Sequence, residues 1–355
     1  MNNLLSDTFK GLKPYVPGEQ PTEPIQHKLN TNENPYPPSP MVIEAIRNTV
    51  DQRLRLYPDY TANDLRNAIA QHHGVTAEQV FIGNGSDEVL AHIFKAFFQR
   101  DGVLLMPDIS YSFYTTYAAM YGVREKQIAL NNDFSLPVDK FSEHDPNVIG
   151  VIFANPNAPT GLAISLEEVS GIAKAHPNSA VVVDEAYVDF GADSAIKLIN
   201  KHKNIVVVHT LSKSRALAGL RVGYAIACEA LVKALNVVKD SFNSYPLDTL
   251  AMAGATASFK DDEYFTKSLK KVIKSRSYLS EKLQSLGFEV LPSKTNFLFV
   301  KHSNYNATDI SAQLRRSGIL VRHFNSPRIN QFLRITIGTQ EQCEFLYEKL
   351  QGILK

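Results

Sequence analysis

The chain has 355 residues, 44% of them hydrophobic, and a formal net charge of +1. That length and apolar content suffice for a sizeable core in one large or two moderate domains, and the near-neutral balance offers no strong field for nucleic acid or an anionic membrane. Its two cysteines, Cys228 and Cys343, build neither a disulfide framework nor a metal-ligand pattern.

The opening residues Met1-Asn2-Asn3-Leu4-Leu5-Ser6-Asp7 lack a signal-peptide pattern, and no apolar run approaches membrane-spanning length. A cytoplasmic protein is the expectation. Residues 1–40 are rich in Pro and Asn, show no sustained periodicity and read as an extended arm. From Met41 onward Ile43, Ile46, Val50 and Leu54 recur at helix spacing. Residues 80–82 predict a short strand, followed by a turn and the helical series Val89, Leu90, Ile93, Phe94 and Phe97. Residues 103–106 and 148–153 predict buried strands, and Ser165-Leu166-Glu167-Glu168 marks a helix start. Strand-like runs continue at 180–183, 205–208 and 222–227.

Continuous apolar strands between helical patterns imply an α/β fold, with a mostly parallel sheet covered on both faces. Functional groups in such sheets gather past the carboxyl ends of the strands. The rhythm changes after Pro246. A long amphipathic helix carries Phe265, Leu269, Val272, Ile273, Leu279 and Leu283. Then come a strand at 296–300, a helix at 307–316, strands at 319–321 and 332–337, and a last helix ending at Lys355. The expected division is an arm at 1–40, a large domain at 41–246 and a smaller α+β domain at 247–355.

Lys213, in Ser212-Lys213-Ser214-Arg215, follows the apolar run 204–210. A lysine is ordinarily a solvated surface group, yet one at a strand end beside hydroxyls and glycine is placed to form a Schiff base with an aldehyde cofactor. Such a cofactor needs an acid at its ring nitrogen, a cradle for its phosphate and a surface for its ring. Asp184 ends the strand Val181-Val182-Val183 and suits the ring nitrogen, or caps a helix starting at Glu185. Tyr187 reaches the phenolate oxygen of the cofactor, or is a rim tyrosine with a paired hydroxyl. Gly83-Asn84-Gly85-Ser86-Asp87-Glu88 links strand to helix and suits an anion. It lacks the Walker and dinucleotide spacings.

Ser212 and Arg221 add a hydroxyl and a guanidinium to the same phosphate. Asn155-Pro156-Asn157-Ala158-Pro159-Thr160-Gly161 is a fixed, non-helical path that aims the Asn157 amide at a ring substituent, or is a plain turn. Tyr111 stacks on the ring, or belongs to a core helix. Arg334 lies inside the apolar strand Phe332-Leu333-Arg334-Ile335-Thr336-Ile337 and needs an anionic partner. Either an incoming carboxylate or phosphate or an internal acid would serve. Arg322 raises the same question.

In their order along the chain these pieces resemble the fold-type I, pyridoxal-phosphate-dependent aminotransferases, and in particular the histidinol-phosphate aminotransferases. The matching motifs are Leu29-Asn30-Thr31-Asn32-Glu33-Asn34-Pro35, Tyr57-Pro58-Asp59, the turn at 83–88, the loop at 155–161, Asp184-Glu185-Ala186-Tyr187, Ser212-Lys213 with Leu217-Ala218-Gly219-Leu220-Arg221-Val222-Gly223-Tyr224, and Leu333-Arg334-Ile335-Thr336-Ile337-Gly338. They span nearly the whole chain.

The resemblance implies pyridoxal 5′-phosphate on Lys213, which then shuttles the proton, and Asp184 at the pyridine nitrogen. It implies Asn157 and Tyr187 at the phenolate oxygen and Tyr111 on the ring. Ser86, Asp87 (through its backbone), Ser212 and Arg221 would hold the phosphate. Tyr57 would reach the phosphate of a partner subunit, which requires a homodimer. Arg334 would grip the glutamate carboxylate, with Arg322 and Tyr15 on the substrate phosphate. The implied reaction is a ping-pong exchange between glutamate and imidazole-acetol phosphate, with no metal.

Two positions depart from the family pattern: Leu56, where an arginine commonly precedes the tyrosine, and Tyr36, where glycine is usual. Both are expected near the substrate entrance. An aromatic amino-acid aminotransferase or a threonine-phosphate decarboxylase keeps the same cofactor with another substrate. A non-catalytic, cofactor-binding regulator would usually carry a further DNA- or partner-binding domain, and no basic helix-turn-helix segment precedes Met41.

Overall fold

The apolar runs of the first two thirds assemble into one seven-stranded sheet. In this computed structural model, which describes Leu4 and residues 12–16, 18–22 and 24–355, the elements in chain order are as follows. They begin with β1 (His27–Leu29), α1 (Pro40–Thr49), α2 (Asn63–His73), β2 (Val80–Asn84), α3 (Gly85–Ile93), β3 (Val103–Pro107), α4 (Phe113–Tyr121) and β4 (Glu125–Ile128). There follow β5 (Val148–Ala154), α5 (Leu166–Ala175), β6 (Ala180–Asp184), β7 (Ile205–Thr210), β8 (Val222–Ala227), α6 (Glu229–Phe242), α7 (Thr249–Ser258) and α8 (Asp262–Ser285). The last are β9 (Phe288–Val290), β10 (Phe297–His302), α9 (Ala307–Arg316), β11 (Ile319–His323), β12 (Phe332–Thr336) and α10 (Gln340–Ile353).

The large sheet has the order β2-β8-β7-β6-β5-β3-β4. Only β8 runs against its neighbours; β3 to β7 pair in parallel. Successive residues of a strand face opposite sides. Val181, Val183 and Val207 therefore enter one core layer, while Val182, Val206 and Val208 enter the other. Both faces are covered, which is why these strands read as unbroken apolar runs. The topology turns one edge into a working edge. The C-terminal ends of β2, β3, β5, β6 and β7 lie there, together with the start of the antiparallel β8.

A second sheet, β1-β11-β12-β10-β9, carries the C-terminal third. Its first strand comes from the arm: His27–Leu29 pairs in parallel with 319–321. The arm is thus part strand where it crosses to the small sheet. Residues just beyond 246 pack with the large sheet, since Leu247, Ala251, Ala255 and Phe259 share its core layer. The helix start at Ser165 is a complete capping box with Glu168.

The stripe read at helix spacing is helical over its first part, and Ile46 packs on the core. Helix α1 ends at Thr49, and Ile43, Val50 and Leu54 are exposed. Strand β4 escaped prediction because Glu125-Lys126-Gln127 is polar, as befits a sheet edge.

Candidate active site

A cavity of about 240 Å³ opens at the working edge. Its lining includes Tyr15, Ser86, Asp87, Tyr111, Asp184, Tyr187, Ser212, Lys213, Arg221, Arg322 and Arg334. Eleven side chains singled out in the sequence therefore converge, contributed by the arm, the large sheet and the small sheet.

Lys213 leaves the loop after β7. Its Nζ donates to the Thr31 carbonyl at 3.4 Å and stands 5.9 Å from the centre of the Tyr187 ring. The loop is pinned on both sides. Asn34 Nδ2 donates to the carbonyls of Lys213 and Ser214 at 3.0 and 3.1 Å. Arg215 is buried between the faces of Phe259 and Phe265.

Asp184 is buried at the end of β6. Tyr114, on α4, donates to its Oδ2 at 2.7 Å, and the Ala186 N–H donates to Oδ1 at 3.3 Å. Burial still wins over both bonds and pushes the carboxyl up to about 6. No helix starts at Glu185, so Asp184 is not a helix cap. A buried carboxylate without a cation in contact suits a protonated ring nitrogen, which would restore its charge.

The phosphate cradle forms where β2 turns into α3. Gly85 has φ +76°, and a Cβ there would meet Arg221 Nη2 at 2.5 Å. A Cβ at Gly223 would meet the Ser86 nitrogen at 2.2 Å. These glycines let strand β8 and the helix N-terminus approach closely enough to present backbone N–H groups to an anion. Arg221, itself at φ 52°, donates to Asp87 Oδ2 at 3.0 Å, and the Tyr111 hydroxyl donates to Asp87 Oδ1 at 2.9 Å. The Asp87 side chain, and not only its backbone, thus orients two lining residues. Ser212 Oγ accepts from Thr210 at 3.0 Å, so its own proton is free for the cradle. Tyr111 precedes α4 and is not a core-helix aromatic.

At the far wall, Arg322 and Arg334 sit directly opposite each other across the β11–β12 ladder. Like charges so placed repel. Arg334 Nη2 donates to the Asn30 carbonyl at 2.8 Å, its plane lies near Phe297 and Phe324, and its Nε has no hydrogen-bond partner. No acidic side chain pairs with Arg334 or Arg322 among the described residues, so the internal-acid alternative does not hold. Tyr15 joins this wall, its phenol held up by burial against the opposing pull of both arginines. Its ring packs 4.6 Å from Phe113.

Asn157 and Tyr57 stand apart. Asn157 Nδ2 donates to the Ile109 carbonyl at 3.0 Å and to Thr160 Oγ1 at 3.1 Å, which occupies both its N–H groups. The neighbouring Ala158 and Pro159 line the cavity in its place. Tyr57 is 83% exposed, stacks on Tyr245 at 4.8 Å and faces a separate hollow with Met41, Leu54 and Leu56. The two departures, Tyr36 and Leu56, also lie outside the Lys213 cavity; Tyr36 packs on the small-sheet core.

Sequence reasoning missed Tyr114, Thr210 and the polar groups of 30–34. Four of those five, Asn30, Thr31, Asn32 and Asn34, supply partners of Arg334, Lys213 and Tyr187. Their only signal was membership of an asparagine-rich motif. No cluster able to hold a metal and no helix long and apolar enough to cross a membrane occurs among the described residues.

Residues 24–350 match the family model for aminotransferase class I and II. The histidinol-phosphate aminotransferase of Acinetobacter baumannii (strain AYE) is 55% identical over 349 residues, covering 98% of this chain and 96% of that protein. Histidinol-phosphate aminotransferase 1 of Pseudomonas aeruginosa is 53% identical, covering 99% of each. The structure of a histidinol-phosphate aminotransferase from Sinorhizobium meliloti, in complex with pyridoxal-5′-phosphate, superposes with a TM-score of 0.87 at 24% identity, covering 99% of this chain and 97% of that one. The likeness in sequence along the whole chain and the convergence around Lys213 lead to one conclusion: the chain belongs to the class I and II aminotransferases, among the histidinol-phosphate aminotransferases.

Proposed function

We propose that this enzyme, a pyridoxal-phosphate-dependent aminotransferase, exchanges an amino group between glutamate and imidazole-acetol phosphate, yielding 2-oxoglutarate and L-histidinol phosphate in histidine biosynthesis. The observation that carries the substrate reading is the pair Arg322 and Arg334, set across the cavity from Lys213 without an acidic partner among the described residues. Guanidinium groups accept a carboxylate or a phosphate bidentately. One wall can therefore serve both an amino-acid donor and a phosphate ester in turn. The 53–55% identity to named histidinol-phosphate aminotransferases supports the same pair of substrates.

Bound pyridoxal 5′-phosphate supplies an aldehyde carbon for the amino group and a ring that takes up the electrons left when the substrate Cα loses its proton. The residues do the rest. Asp184 keeps the ring nitrogen protonated. Ser86, Ser212, Arg221 and the backbone at Asp87 hold the phosphate, with Tyr111 against the ring. Tyr187 meets the phenolate oxygen, where Asn157 joins it only by giving up its Thr160 contact. Lys213 would hold the cofactor, and its amino group, when free, would take the proton from the substrate Cα and return it one position along.

The exposed apolar surface of Leu54, Leu56, Tyr57 and Tyr60 supports a homodimer in which Tyr57 reaches the partner's phosphate. The same reading places the enzyme in the cytoplasm, in keeping with its two free cysteines.

Steady-state turnover of histidinol phosphate, phenylalanine and threonine phosphate tests the substrate. Histidinol phosphate with 2-oxoglutarate is expected to give the highest kcat/KM. Preference for phenylalanine would remove Arg322 and Tyr15 from phosphate binding, and carbon dioxide release from threonine phosphate would make the enzyme a decarboxylase.

A further inference from the structure

Tyr187 Oη accepts a hydrogen bond from Asn32 Nδ2 at 2.9 Å, across 155 residues of sequence. A phenol has one proton to give and lone pairs to accept with. Among the described residues, no acceptor takes the Tyr187 proton, and both side chains line the Lys213 cavity.

Thr336 favours one orientation of the Asn32 amide. Thr336 Oγ1 donates to Asn32 Oδ1 at 3.1 Å and accepts from the Asn32 backbone N–H at 3.0 Å. Turning the amide over would take away the acceptor of the buried Thr336 proton, so the loop favours Nδ2 toward Tyr187. Asn296 Nδ2 donates to the Asn32 carbonyl at 2.9 Å. Asn32, Asn296 and Thr336 are buried, at 1%, 0% and 3% exposure, so water does not compete for these bonds. Asn32 also has φ 58°, a left-handed conformation that asparagine tolerates better than most residues. The anchors Asn296 and Thr336 flank and end strands of the small sheet, whereas Tyr187 follows β6 of the large sheet.

We propose that Asn32 is a positioning residue for the transamination: clamped by Thr336 and Asn296, it donates to the Tyr187 oxygen and thereby commits the Tyr187 proton to the cavity, toward the phenolate oxygen of the cofactor. The proposal rests on the reading that Tyr187 serves that oxygen. A second consequence is that the small sheet, which carries the arginine wall, holds the orientation of a cofactor contact on the large sheet.

The test is a double-variant cycle on the cofactor-loaded enzyme, read as the pH midpoint of its visible absorption band. Asn32→Gly removes the donor and accepts the positive φ without strain. Asn32→Asp keeps size and turn preference but replaces the donor with an acceptor. Each is made alone and with Tyr187→Phe, and circular dichroism checks the fold.

Asn32→Gly is expected to move the midpoint by roughly half to one pH unit, the equivalent of one hydrogen bond. In the Tyr187→Phe background the same change is expected to move it hardly at all. Thr336→Ser, which keeps the hydroxyl, is expected to retain the wild-type midpoint. Equal shifts with and without the Tyr187 hydroxyl, or no shift in Asn32→Gly, would overturn the proposal. A Tyr187→Phe enzyme with an unmoved midpoint would instead overturn the reading of Tyr187 itself, and the proposal with it.

Discussion

The Tyr114 hydroxyl donates to Asp184 Oδ2 at 2.7 Å, and both groups are buried. One oxygen of the carboxylate is thus held by the protein core. Oδ1 has only the longer contact with Ala186, and it is the oxygen proposed to meet the ring nitrogen of the cofactor. Replacing Tyr114 with Phe leaves a buried acceptor without its donor, which costs about 1–3 kcal/mol. Spectral titration of the cofactor-free Tyr114→Phe enzyme is expected to show about tenfold weaker binding of pyridoxal phosphate. Unchanged affinity would show that Asp184 is held without Tyr114.

Asp184 also predicts a pH dependence in the cofactor-free enzyme. Burial raises its pKa from 3.8 to about 6 in the folded state. Between these values the folded protein binds more protons than the unfolded chain, so stability falls as pH rises through that window. The ionised buried carboxylate costs roughly 3 kcal/mol above it. Urea unfolding at pH 8 is expected to find cofactor-free Asp184→Asn more stable than wild type. At pH 4 the difference is expected to shrink to about half a kcal/mol. Adding pyridoxal phosphate is expected to reverse the order at pH 8, because only the wild-type carboxylate pairs with the ring cation.

His73 titrates with the opposite sign. Desolvation and the neighbouring His209 and His72 push it down to about 2, while its Nε2 shares a hydrogen bond with Tyr224 at 2.7 Å. The unfolded histidine takes a proton below about 6.5 and the folded one does not. Wild type is therefore expected to lose stability as pH falls from 7 to 5. His73→Gln is expected to lose about 2 kcal/mol less over that interval, by urea unfolding at each pH.

Arg334 lines the cavity with a buried, unpartnered Nε. Loss of a buried charge contact to substrate is worth 2–5 kcal/mol. Arg334→Met is expected to raise KM for glutamate about a hundredfold. The melting temperature of the variant is expected to hold or rise, since a desolvated, unpaired cation is removed. A large fall in stability would mark Arg334 as structural.

Much of this site was legible because the large sheet is buried on both faces. Continuous runs such as 181–183 and 205–208 located the strands, and the rule that chemistry follows strand ends pointed to Asp184 and Lys213. What stayed hidden depends on contacts between distant segments. Tyr114 lies in an aromatic-rich helix, where nothing local separates a donor to Asp184 from core packing. Asn32 stood within a recognised motif, yet its partners are Tyr187, Asn296 and Thr336, far along the chain. The apolar spacing of Ile43, Val50 and Leu54 gave a helical pattern, and those side chains lie on the surface of the chain. Periodicity reports that a face is apolar and not what covers it.

The visible absorbance of the cofactor-loaded enzyme tests the central claim most directly, with glutamate and then imidazole-acetol phosphate added. Glutamate is expected to bleach the band and imidazole-acetol phosphate to restore it, while Lys213→Ala completes neither half at a comparable rate. A Lys213→Ala enzyme that cycled at the wild-type rate, or a wild-type band that imidazole-acetol phosphate could not restore, would contradict the account.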